Sequence, residues 1–159
     1  MSLIKRPTPH FNARPPGSGV SLIVLHADAA KSEAGTISWL ADPASKVSYH
    51  YLIGRTGSVY QFVRDEMRAW HAGVSSFQGK PNCNDYSIGV SFSNDQKGEP
   101  FTEKAIDAGV ALCAVLCARH GLGVEHITTH AIISPGRKTD PGPLFPMTAF
   151  LERVDAVLP

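Results

Sequence analysis

The sequence has almost no net charge: 15 Lys and Arg against 14 Asp and Glu leave a formal +1 over 159 residues. Nucleic acids and anionic membrane surfaces attract proteins through a broad field of one sign, so neither partner is indicated. Long hydrophobic runs are also missing. No apolar stretch approaches the roughly 20 residues needed to span a bilayer, which argues against membrane insertion. Residues 1–19 are polar and proline-rich and lack the hydrophobic segment of a signal peptide, so synthesis in the cytoplasm is expected, with any export by another route. Cysteine is scarce. Cys83, Cys113 and Cys117 make an odd number without zinc-ribbon or redox spacing. Cys113 and Cys117, four apart on an expected helix, are read as small buried hydrophobes, and Cys83 as a loop residue open to exposure. No repeat, low-complexity tract or long linker divides the chain.

A hydrophobic content of 43% in a chain of this length fits one domain with a real core, expected as a monomer. Residues 1–19, with Pro7, Pro9, Pro15 and Pro16, are read as an irregular arm, and residues 20–159 as the domain proper. His10 in the arm is not read as a ligand. Residues 20–26 form a short aliphatic run of the buried-strand type that delivers His26 at its C-terminal end. A short helix follows over 34–40. Residues 47–53 and 58–63 form a hairpin around Gly54-Arg55-Thr56-Gly57, with Tyr49 and Tyr51 expected on one face and His50 on the other. Residues 87–92 form another strand. Thr102 caps the longest helix, which runs to about Arg119, with Gly121 suited to its C-terminal turn. Val124–Thr129 is expected as a strand, and Met147, Phe150, Leu151, Val154 and Val157 mark a last helix. The whole is an α/β domain.

The stretch that organises the chemistry is H-A-I-I-S-P-G-R-K-T-D-P-G, from His130 to Gly142. Ser134-Pro135-Gly136 and Asp140-Pro141-Gly142 are turn sequences, so its His, Lys and Asp converge from loops. Imidazole and carboxylate are both zinc ligands, and a catalytic zinc takes three protein ligands with a fourth position open. His26 completes the set if its strand lies beside this loop.

At this point the series L-H-A-D (25–28), V-S-Y-H-Y-L-I-G-R-T-G (47–57), W-H-A-G (70–73), S-I-G-V (87–90) and H-A-I-I-S-P-G-R-K-T-D-P-G-P (130–143) resembles the type-2 N-acetylmuramoyl-L-alanine amidases. That group includes amidase-type phage lysozymes, cell-wall recycling amidases and peptidoglycan recognition proteins. The resemblance implies a central mixed sheet flanked by helices and a zinc hydrolase acting on peptidoglycan or muropeptides. The bond cut would join the lactyl group of N-acetylmuramic acid to L-alanine. His26, His130 and Asp140 match its metal ligands; Tyr49 and Lys138 match residues assisting catalysis; His71, with Trp70, matches positions at the substrate groove. Ser91 stands where recycling amidases commonly carry a Glu general base, which aligns the chain with the tyrosine-lysine variant of the phage enzymes.

The side chains support that chemistry. Zinc polarises an amide carbonyl and lowers the pKa of a bound water towards about 7. Lys138 then offers a charge to the tetrahedral oxyanion, and Tyr49 a phenolic hydrogen bond. Two alternatives stand beside this reading. One is a non-catalytic peptidoglycan-binding module, expected to have lost a ligand. The other is a structural zinc closed by a fourth side chain, drawn from His50, His71, His120 or His126.

Overall fold

The computed structural model describes residues 3–158. Its strands in chain order are Leu3–Lys5 (β1), Phe11–Ala13 (β2), Leu22–Ala27 (β3), Tyr51–Ile53 (β4), Val59–Gln61 (β5), Met67–Ala69 (β6), Ser76–Phe77 (β7), Lys80–Pro81 (β8), Ser87–Phe92 (β9) and Ile127–Thr129 (β10). Its α-helices are Glu33–Ala41 (α1), Glu103–His120 (α2), His130–Ile133 (α3) and Met147–Asp155 (α4).

The middle of the fold is made by the two aliphatic runs. β3 and β9 are buried at every position and pair in parallel, from Leu22 opposite Ser87 to Ala27 opposite Phe92. Burial on both faces is why these strands read as near-continuous apolar runs rather than alternating ones. The main sheet has the order β1-β5-β4-β9-β3-β10; only the β4–β5 hairpin is antiparallel in it. It is a mixed sheet, as the family resemblance implied.

Alternation along the strands divides the core. Ile23, Leu25, Val90, Phe92, Tyr51 and Ile53 pack against Ile106, Val110, Cys113, Leu116 and Cys117 of α2 and Phe150 and Val154 of α4. Each fully buried Leu, Ile or Phe contributes about 1.5–3 kcal/mol, so this layer holds the domain together. The Thr102 hydroxyl caps α2 by accepting from Ala105 N–H, and Gly121 ends it in the left-handed conformation at φ 67°. Leu22 and Val24 face the other way, towards Ala72, Cys83, Tyr86 and Ile133, and Leu52 joins Leu40, Phe62 and Val63. His26 opens from this second face.

Four expectations are corrected. The arm is not irregular: β1 pairs in parallel with β5, and β2 pairs antiparallel with β6, with the Thr8 hydroxyl donating to Leu40 O. Cys83 is fully buried, its sulfur 3.3 Å from the Tyr86 hydroxyl. Val124–His126 forms a 3-10 turn, so the strand starts only at Ile127. Tyr49 and Tyr51 do not share a face. Regular strand begins at Tyr51, which faces α2, while Tyr49 precedes it and packs with the Leu40 and Leu52 cluster.

Candidate metal centre

Parallel strands present their C-terminal ends along one edge, and loops leaving that edge build sites in α/β sheets. His26 is the penultimate residue of β3, and His130 follows β10 directly as the first residue of α3. Because β10 pairs with β3, with Thr129 opposite Leu25, the two histidines emerge side by side. The Thr129 hydroxyl caps α3 by accepting from Ile132 N–H, which turns the chain sharply and points His130 back at β3. The loop after α3 then returns, and Ala131 N–H donates to Asp140 O at 3.0 Å.

The three side chains meet. His26 Nδ1 lies 3.0 Å from His130 Nδ1 and 3.3 Å from Asp140 Oδ2. Asp140 Oδ1 lies 3.2 Å from His130 Nδ1. Donors bound to one tetrahedral ion at roughly 2.0–2.1 Å are separated by about 3.3–3.4 Å, so this set fits zinc. The donor chemistry gives the same answer: two imidazole lone pairs and a carboxylate facing one another in a nearly buried place repel unless a cation or proton lies among them. Burial lowers the His26 pKa to about 4, even against the pull of the Asp140 carboxylate, so the ring is neutral and able to ligate. Burial pushes the Asp140 carboxyl up, but the close His130 and His26 rings outweigh it and hold the group well below the usual carboxylate range.

Around the set lies a cavity of about 650 Å³, lined among others by Tyr49, Trp70, Lys138 and Asp140. The half-buried Tyr49 ring stands 5.2 Å from the His26 ring, and burial followed by the Asp140 charge raises the phenol pKa, so it remains a neutral donor. Lys138 is exposed at the rim. Trp70 lines the wall, with its Nε1–H donating to Asn12 Oδ1 and its ring against His10.

His71 lines the same cavity but is buried at 7% exposure, with one ring nitrogen on His26 and the other on Ser87, so neither ring nitrogen is left for a substrate. The remaining expected histidines fall elsewhere. His50 bonds Gly89 N–H and Met67 O. His120 pairs with Asp65, and His126 with Gly123 N–H and Glu125, so none of these three joins the ligand group. Arg137 went unnoticed in the sequence. Its Nη2 donates to Ala72 O at 2.5 Å and Val74 O at 3.0 Å, tying the ligand loop to the Trp70–Val74 segment. Only its place inside the motif S-P-G-R-K-T-D-P-G pointed to it.

Residues 16–143 match the N-acetylmuramoyl-L-alanine amidase family. The chain belongs to that family. It is 36% identical to the 1,6-anhydro-N-acetylmuramyl-L-alanine amidase AmpD of Citrobacter freundii, over 91% of this chain and 86% of that protein. AmpD of Escherichia coli is 34% identical over 91% of this chain and 87% of its own length. A crystal structure of an AmpD derivative superposes with a TM-score of 0.86 at 32% identity, covering 96% of this chain and 93% of that one. AmiD of E. coli, solved with anhydro-N-acetylmuramic acid-L-Ala-D-gamma-Glu-L-Lys, gives 0.79 at 30% identity, with 88% and 60% covered. A Bacillus subtilis endolysin shares the fold at a TM-score of 0.73 and 22% identity, over 97% of this chain and 99% of that one. The chain thus shares more sequence with AmpD than with that endolysin, while Ser91 departs from the Glu expected in recycling amidases.

Proposed function

We propose that this protein is a zinc-dependent amidase that hydrolyses the bond between N-acetylmuramic acid and L-alanine in muropeptides, including 1,6-anhydro forms. The observation that carries the proposal is the convergence of His26 Nδ1, His130 Nδ1 and an Asp140 oxygen at the floor of an open groove. The anhydro preference is supported by the names of the AmpD relatives.

His26, His130 and Asp140 would hold the ion, leaving one side open to the cavity. When bound, zinc supplies a Lewis acid and a water of lowered pKa. The remaining work belongs to the chain. Lys138 brings a positive charge to the carbonyl oxygen as it becomes negative, an interaction stronger in the transition state than in the ground state. Tyr49, kept protonated by burial, donates a hydrogen bond at the same centre. Trp70 offers an apolar wall for the glycan or peptide. Ser91 cannot take up a proton at neutral pH, so the general-base role is not assigned to it.

The test is to incubate the purified protein with anhydro-muropeptide and with intact peptidoglycan and to identify new ends by mass spectrometry. A lactyl carboxyl paired with a free L-alanine amine is expected, with the soluble substrate cut faster. New reducing sugar ends would sink the amidase reading, and binding without cleavage would indicate a recognition module.

A further inference from the structure

We infer that His71 is a positioning residue of the metal centre, holding His26 in the tautomer whose Nδ1 faces His130 and Asp140. The inference rests on the zinc reading above and concerns the side of the histidines turned away from the ion.

A metal-binding imidazole has two nitrogens, and the partner of the distal one decides which nitrogen is free to ligate. His26 Nε2 lies 2.9 Å from His71 Nδ1. With Nδ1 committed to the ligand set, Nε2 carries the proton and donates it to His71 Nδ1. His71 must then carry its own proton on Nε2, and that nitrogen is 3.1 Å from the Ser87 hydroxyl, which accepts. The donors run in one direction from His26 through His71 to Ser87. His130 is held in the same way, since its Nε2 lies 3.1 Å from Ala72 O. Two consecutive residues, His71 and Ala72, thus fix both metal-binding histidines.

The surroundings are built for this. Asn84 Oδ1 accepts both His71 N–H at 3.0 Å and Ala72 N–H at 2.8 Å, pinning the segment to the 3-10 turn that precedes β9. The His71 ring lies so close over Gly89 that a Cβ there would stand 2.5 Å from its Cγ. Any other residue at position 89 drives the ring off its place. The W-H-A-G motif therefore has two tasks: Trp70 lines the groove, and His71 and Ala72, which border the same cavity, hold the distal nitrogens of His26 and His130.

The test compares zinc affinity, measured by chelator competition, in the parent, His71→Leu and His71→Asn. Asn places its Oδ1 where His71 Nδ1 sits and keeps the acceptor. His71→Leu is expected to weaken zinc binding by about 10- to 100-fold, with His71→Asn recovering most of the loss. A second measurement needs no variant: in the zinc-loaded, nitrogen-15-labelled protein, a coupling across the His26 Nε2–H to His71 Nδ1 bond is expected by NMR. Equal zinc affinity in folded His71→Leu, or a rapidly exchanging His26 proton without that coupling, overturns the inference alone. A parent protein that takes up no zinc overturns the metal reading as well.

Discussion

His26 and Ser91 are register partners on adjacent parallel strands, so Ser91 occupies the sheet position beside the first proposed metal ligand. Its hydroxyl is buried, makes no hydrogen bond of regular geometry among the described residues, and lies within reach of the Tyr49 phenol. A buried hydroxyl so weakly paired adds little to stability. Ser91→Ala is expected to keep hydrolysis at the parent level, with stability unchanged or raised by up to about 1 kcal/mol in urea unfolding. A large drop in turnover at full zinc occupancy would show that the hydroxyl takes part in the reaction.

Lys138→Met separates catalysis from binding. The methionine keeps an unbranched stem and removes the charge, and Lys138 is exposed and outside the ligand group, so folding and zinc content should hold. Turnover is expected to fall roughly 100-fold or more, on the order of 3 kcal/mol, with little change in substrate affinity. Tyr49→Phe should act in the same direction. Parent-rate hydrolysis by a zinc-replete Lys138→Met protein would remove the lysine from the mechanism.

Chelation should abolish hydrolysis while leaving the far-ultraviolet circular dichroism largely intact, because the α2 and α4 layer contains none of the metal ligands. The chelated protein is then expected to lose stability on acidification. Burial lowers the His50 pKa to about 4, below the roughly 6.5 of an unfolded chain. The unfolded state therefore binds the proton first, and the stability present above about 6.5 is lost as pH falls towards 4. Asp65 acts in the same direction at lower pH. Burial raises its carboxyl, but bonds from Tyr51, Arg119 and His120 outweigh this and leave it below its ordinary value. Urea midpoints measured from pH 7 to pH 4 should decline; a flat profile contradicts the assignment.

Gly109 sits in the middle of α2, where alanine would ordinarily stabilise a helix by about 1 kcal/mol. A Cβ there would lie 2.6 Å from Phe92 Cζ and 3.1 Å from Phe150 Cε2. Overpacking of that kind costs about 1–3 kcal/mol, so Gly109→Ala is expected to lower the melting temperature despite its helix propensity. A rise would mean that the aromatic cluster yields more easily than its packing implies.

The strongest elements were legible because local signals and burial agree in them. β3 is a continuous aliphatic run ending at the ligand, and α2 carries a capping threonine, an apolar stripe and a stop glycine. The convergence of His26, His130 and Asp140 was legible through motif resemblance, since nothing local says that residues 26 and 130 meet. What sequence periodicity could not reach was irregular backbone. The Ser48 hydroxyl donates to His10 O and accepts from Trp70 N–H, which anchors the chain before β4 and turns Tyr49 towards His26 instead of continuing the strand's alternation. The arm misled for a related reason: Pro7 and Pro9 lie between two short strands and Pro15 and Pro16 follow them, and strands of three residues are too brief for a period to show. His71 was assigned to the groove by its motif position and does line the cavity, but no sequence signal shows that its ring nitrogens are taken up by His26 and Ser87.

The order of the main sheet has a consequence for how the molecule meets its own copies. Its outermost strands, β1 and β10, are three residues each, and they flank the six-residue β3 and β9. A long, flat, unpaired edge is a template for strand addition by another chain, and short edge strands blunt it. β1, which carries Lys5, covers β5 at one side, and β10 covers β3 at the other before turning straight into α3. The proline-rich arm therefore acts as a selvedge on one side, finishing the weave beyond β5, while β10 does the same on the other and keeps β3, with His26, off the border.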